Sequence, residues 1–308
     1  MDTITHAVAG AAIALAVKDR VGKAGVAAVM AATLVPDADL VVQVFSPELY
    51  LKYHRVVLNS LPVVLALSTV IAAAAWLYGR YKNFVALWGL SSGAMMLHVA
   101  MDYTNSYGAK PLWPFVNKWS ALDLVFIIDP WVTGIFALGI LAMKYYGKKT
   151  LVLAACLALL FSYWGMREFA HQRAMALFKL QYPDAISIGA FPAPVNPFKW
   201  RMVAQTCDAY WTGWYNIVDG EWDAVEIHPR PKPEKVIMAA REAPFVKTFL
   251  EFARYPWFSY LPNDDSWTVS IQDLRFSGFG GGRGFVTTVK VNPDGTTDGG
   301  KFSFRKND

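Results

Sequence analysis

Three histidines and four aspartates stand where apolar segments of the chain begin or end: Asp2 and His6 in MDTITH, Asp37 and Asp39 in PDAD, His54 in YHR, and His98 and Asp102 in HVAMD. Imidazole nitrogens and carboxylate oxygens, without thiolate, suit zinc, manganese or iron, with zinc the commonest for hydrolysis. His98 and Asp102 are four apart on an apolar helix, so they share one face, one turn apart. Asn105, three further on, prolongs that edge. Asp2 and His6 repeat the four-residue spacing at the start of the first apolar segment. Asp37 and Asp39 follow Pro36 in a segment read as extended, where residues two apart point the same way. His54 adds a nitrogen from another segment, and Arg55 beside it offers a cation for an anionic oxygen. Ionisable groups in or beside a bilayer are costly to bury and are read as functional. His6, Asp37, Asp39, His54, His98 and Asp102 are therefore the expected ligands of a divalent metal. Asp37, Arg55 and Asn105 are the catalytic candidates, and Asp2 is a reserve ligand. More ligands are present than one tetrahedral ion needs, so one or two ions are expected. Such centres activate water and neutralise charge on a phosphoryl or acyl oxygen.

These residues must be positioned by a very apolar chain. Hydrophobic residues make up 55% of the 308 and charged residues only 17%, too apolar for an ordinary soluble protein. The apolar runs fall at 4–17, 24–36, 61–78, 84–101, 124–143 and 150–166. A spanning helix needs about 20 mostly apolar residues, a length the last four meet. The first two are short and Ala/Gly-rich and are read as a tilted or re-entrant hairpin. Gly89 and Gly93 form a small-residue pair for close helix packing. Trp113, Trp119 and Trp131 read as an interfacial aromatic belt. Lys18, Arg20, Lys23, Arg80, Lys82, Lys144, Lys148 and Lys149 crowd the short turns after helices one, three and five. Only Lys52, Arg55, Lys110 and Lys118 lie in the longer loops after helices two and four. Positive residues favour the cytoplasm, which puts the ligands and everything after the sixth helix outside. The acidic start without an A-x-A site gives no expectation of a cleaved leader.

From about residue 172 the chain reads as α+β. Strand-like runs at 201–218, 222–228, 266–276, 284–292 and 301–305 suggest an antiparallel sheet. Residues 233–254 read as one helix broken at Pro244, or as two short helices. DGE at 219–221 and NPDGTTDGG at 292–300 are turn signals. GFGGGRG at 278–284 joins two strands and lacks the Lys and helix of a phosphate-binding loop, so it reads as a hairpin connection. His228 reads as a surface-loop residue and His171 as interfacial. Cys156 and Cys207 cannot supply a disulfide framework. A net charge of +5 without a basic run gives no expectation of nucleic acid. The expected architecture is a polytopic α-helical membrane bundle of about six helices (1–171) followed by a small extramembrane α+β domain (172–308).

MDTITH, PDAD, HR followed by NSL, and HVAMDYTNSYG resemble the YdjM-like membrane-bound metal-dependent hydrolases, a family described as LexA-binding and inner-membrane-associated. The resemblance covers residues 1–110, and APVNPFKWR at 193–201 resembles the opening of the periplasmic part of longer members. It implies the bacterial cytoplasmic (inner) membrane and a distant likeness to zinc phospholipases C and related nucleases. Their HxxxD pair is similar to His98 and Asp102, and their single histidines and aspartate to His6, His54 and Asp37 or Asp39. The usual HRxxxHS pattern is altered here, with Asn59 where the second histidine is expected. One metal position is then weakened, lost or supplied by His171. The expected function is hydrolysis of a phosphoester in a lipid or lipid-linked substrate at the outer face of the membrane. The competing expectation is a non-enzymatic, metal-stabilised scaffold or a regulator binding a protein partner through residues 172–308. A transporter fits less well, because the ligands gather at one face rather than at the midplane.

Overall fold

The computed structural model describes residues 1–231, 234–278 and 283–305. The chain forms two compact units, one made of Met1–Val44, Tyr53–Phe169 and Pro194–Pro197, the other of Phe45–Lys52, Ala170–Ala193 and Phe198–Asp308.

In the first unit, α1 (Thr3–Leu34) begins at Asp2, whose carboxylate accepts the Thr5 N–H at 3.0 Å. Gly22 breaks this helix with φ 66° and ψ −170°, a conformation that glycine adopts without a Cβ penalty. The two arms then fold back on each other. Gly10 lies against Thr33, and Ile13 and Ala14 share a core with Val29 and Ala32. A straight helix would hold residues 10 and 33 about 35 Å apart, so the expected hairpin is present.

A 3₁₀ turn, Val35–Val41, follows and carries PDAD. The extended conformation expected there is not found, because Pro36 enters the first turn of this helix. With three residues per turn, side chains two apart diverge instead of sharing a face. Short helices α2 (Val42–Phe45) and α3 (Pro47–Tyr53), the latter nearly all in the second unit, precede α4 (Leu61–Tyr78) and α5 (Phe84–Tyr103) in the chain. Asn83 caps α5 by accepting the Ala86 N–H, and Ser68 meets Ser92 at 2.9 Å between α4 and α5.

Then come α6 (Pro130–Tyr146) and α7 (Lys149–Gln181). The apolar run at 124–143 is not helical throughout. Leu124 and Val125 donate to the Thr104 carbonyl, and α6 starts only at Pro130, where Asp129 caps it. That leaves a helix of 17 residues. Among the described residues, four helical stretches are long and apolar enough to cross a membrane: Thr3–Phe45, Leu61–Tyr78, Phe84–Tyr103 and Lys149–Gln181. Leu65 and Val70 on α4, Val85 on α5, Leu138 and Leu141 on α6, and Leu151 and Leu159 on α7 all stay exposed. Helices that are apolar all round belong in a core or a membrane.

Among its described residues, the second unit has two four-stranded antiparallel sheets where one was expected. They comprise β1 (Ser187–Pro192), β2 (Lys199–Gln205), β3 (Ala209–Asn216) and β4 (Trp222–Pro229), then β5 (Pro256–Asn263), β6 (Ser266–Asp273), β7 (Arg283–Val291) and β8 (Thr297–Arg305), each sheet in sequence order. The run 201–218 is two strands. Thr206 N–H and the Ala209 carbonyl close a turn between them. The helical region is α8 (Lys235–Glu242) and α9 (Pro244–Phe252), separated at Pro244; Pro233 lies outside the described residues. Phe279–Gly282 of the glycine run also lie outside them. His228 is in β4 rather than in a loop, with Nε2 3.0 Å from Thr212 Oγ1.

Candidate metal centre

His6 on the first turns of α1, Asp37 in the 3₁₀ turn, and His98 and Asp102 on α5 meet in the first unit. One ligand atom from each lies within 4.8 Å of those of the others, and all four residues are buried. The two imidazoles stack, with centroids 3.6 Å apart and planes at 20°. His98 Nδ1–H donates to the Thr33 carbonyl at 2.8 Å. That bond fixes the tautomer and turns the lone pair of Nε2 inward, as an outer-shell carbonyl does for a metal-bound histidine. Nε2 lies 3.2 Å from Asp102 Oδ2 and 3.6 Å from Asp37 Oδ1, yet it makes a hydrogen bond to neither. His6 Nε2 stands 3.2 Å from Asp102 Oδ1, and Thr3 Oγ1 donates to Asp37 Oδ2 at 2.9 Å.

Asp102 is the hub. It is wholly buried, accepts from Asn59 Nδ2 at 2.7 Å and the Met1 amino group, and forms an ion pair with Arg55 Nη2 at 2.9 Å. Burial, and then the adjacent Arg55, hold that amino group down to about 6. An isolated buried carboxylate would be prohibitive, so these donors make its ionised form tenable.

The remaining candidates fall elsewhere. Asp39 and His54 form their own pair, with His54 Nδ1 2.7 Å from Asp39 Oδ1. Arg55 links this pair to the four-residue group. Its backbone N–H reaches Asp39 Oδ2 at 3.3 Å while its guanidinium reaches Asp102. It does so with φ at 60°, an uncommon left-handed conformation for a residue with a side chain. Nη1 donates to Asn105 Oδ1 (3.0 Å) and Nη2 to the Met1 carbonyl (2.7 Å), while the buried Nε has no hydrogen-bond partner among the described residues. Arg55 is 3% exposed, and its two Nη groups face the protein's own oxygens. Asn105 orients Arg55 and caps the Tyr107 N–H at 2.9 Å. Asp2 is occupied by Thr5, accepting from both its N–H and its hydroxyl. His171 belongs to the second unit, where Nε2 lies 3.1 Å from the Ala190 carbonyl and the ring packs on Trp200.

Thr33 contributes only its backbone carbonyl, which no side-chain pattern reveals, and Thr3, although within MDTITH, is not a residue type that metal-ligand spacing singles out. Asn59, by contrast, stands where a ligand is missing from the usual pattern, and its amide already touches Asp102. Asn59→His should therefore place a further imidazole in the cluster and raise metal retention about 10-fold or more during dialysis. Elemental analysis of the two purified proteins would measure it, and equal retention would count against this placement of residue 59.

Residues 1–174 match the profile of the family described as YdjM inner membrane protein. Over 306 residues, 96% of this chain and 92% of the relative, the sequence is 30% identical to "Uncharacterized protein YfhP" of Bacillus subtilis (strain 168). No solved structure matches the chain.

Proposed function

The chain belongs to the YdjM inner membrane protein family, and from that premise we propose that it is a metal-dependent hydrolase acting on a phosphoester of a lipid or lipid-linked substrate. One observation carries this reading: four buried imidazole and carboxylate groups converge, with His98 Nε2 turned inward and left without a hydrogen bond. The donor set fits a divalent ion, with zinc first and manganese or iron next. His6, Asp37, His98 and Asp102 would hold it. A bound ion there supplies Lewis-acid neutralisation of phosphoryl charge and a more acidic water. The Thr33 carbonyl keeps His98 in the ligating tautomer, Thr3 orients Asp37, and Arg55 offsets the carboxylate charge. Asp39 and His54 would hold a second ion.

Position supports this substrate class. The four-residue group draws on the ends of apolar helices, so a lipid headgroup reaches this level without leaving its leaflet. The basic bias of the turns at 18–23, 79–83 and 144–149 supports a cytoplasmic location for them and an external one for residues 172–308. In a Cys207→Ser background, impermeant maleimide should label cysteine at position 294 but not at 148 in intact cells. The reverse pattern would invert this topology. The external unit is then the surface for any protein partner.

A specific observation favours a second reading. All four ligands are at most 5% exposed, and a closed set of four describes a structural ion, whereas a catalytic one keeps an open position. Metal content and turnover of phosphatidylglycerol and a generic phosphodiester, before and after chelation, separate the two. A catalytic ion predicts turnover that chelation abolishes and zinc or manganese restores, with a small change in melting temperature. A wild-type protein inactive on every phosphoester, whose melting temperature collapses on chelation, would replace the enzyme with the scaffold.

A further inference from the structure

Away from the four-residue group, α6 and α7 leave an apolar groove of about 730 Å³ between them. Trp131, Gly134, Leu138 and Ala142 line it from α6, and Ala155 and Leu159 from α7. A Cβ built on Gly134 meets nothing within 4 Å, so the glycine widens the groove rather than admitting a neighbouring helix. Along α6 the lining runs from Pro130 to Ala142, about 18 Å at 1.5 Å per residue. Half of a bilayer's hydrocarbon core is about 15 Å.

The two ends of the groove differ. At the α6 N-terminus the Trp131 indole N–H donates to the Val195 carbonyl at 2.7 Å, pinning Trp131 beside the strained Val195 (φ 68°). The other end points to the turn that Gly147 makes between the helices. There Lys144 and Lys148 are exposed and make no ion pair among the described residues, while Lys149 is engaged by Asp19. Tyr145 and Tyr146 are also exposed, at 79% and 77%, as aromatic residues at a membrane interface are. The last turn of α6, Met143–Tyr146, is about 6 Å deep. That matches the roughly 5–7 Å of polar headgroup region on each side of a bilayer.

We propose that this groove holds one acyl chain of an anionic glycerophospholipid whose phosphate is held by Lys144 and Lys148. Apolar length, polar depth and positive charge occur in the order in which such a lipid presents its chain, glycerol and phosphate. The site is independent of the metal centre and of any hydrolytic activity.

The test uses the full chain in detergent, with phosphatidylglycerol and phosphatidylcholine of identical acyl chains as probes and native mass spectrometry as the readout. Wild type should retain phosphatidylglycerol on the order of 20-fold more strongly, from about fivefold per basic residue. Lys144→Gln/Lys148→Gln should bring the two lipids to parity. Gly134→Leu, which fills the groove, should weaken both. Equal retention by wild type, a preference unmoved by the lysine pair, or undiminished binding by a folded Gly134→Leu protein would each overturn the proposal. If Gly134→Leu does not fold, the surface lysine pair decides alone.

Discussion

His98→Ala should lose metal on the order of 100-fold more readily than wild type and show no measurable phosphoester turnover. Changing even an outer partner of a metal ligand costs 10–100-fold, and His98 supplies the inward Nε2 itself. The fold should largely survive, because the cores of α1, α4, α5 and α6 rest on packed side chains such as Val64, Met95 and Phe136, not on one ion. Metal content, turnover and thermal unfolding in detergent check this together. Retained metal with full activity would remove His98 from the ligand set.

Arg55→Met should be the most destabilising change near the site. It strips Asp102 of its guanidinium partner (2.9 Å) in a region with no solvent access. Removing one member of a buried ion pair costs about 3–5 kcal/mol, most of it from the charge left behind. The second change, Asp102→Leu, should then recover much of that loss, since replacing both partners by apolar groups is often nearly neutral. Unfolding measured across the double-mutant cycle gives the coupling. Additive effects would mean that Arg55 and Asp102 are not coupled.

Much of this was legible from residue spacing. The i, i+4 pair His98 and Asp102 had to share a helix face, and the two short, Ala/Gly-rich opening runs read as a hairpin; its turn at Gly22 is a finding of the structure. What escaped had local causes. PDAD has the composition of an extended stretch, but Pro36 starts a 3₁₀ turn just as readily. The change of period from two to three sends Asp37 to His98 and Asp39 to His54. The residues 124–128 continue the apolar run of α6 without interruption. Only the Asp129-Pro130 pair marked the true start, with a cap followed by a proline at the first helical position. Between β2 and β3 the turn is Thr206-Cys207-Asp208, without glycine or proline, so the strands read as one. Backbone acceptors such as the Thr33 carbonyl leave no imprint on residue type.

That carbonyl ties the ligands to a position that looks inert. Thr33 holds His98 through its backbone and packs its side chain against Gly10, where an added Cβ would collide with it. Variation at residue 10 therefore reaches the imidazole through one intervening residue, with every ligand unchanged. A survey of natural variants that scored only histidines and aspartates would class a Gly10 substitution as harmless. On the proposed reading of the cluster as a metal centre, a selection for loss of metal would recover it alongside the ligands, and the glycine would be an inheritable determinant of metal occupancy.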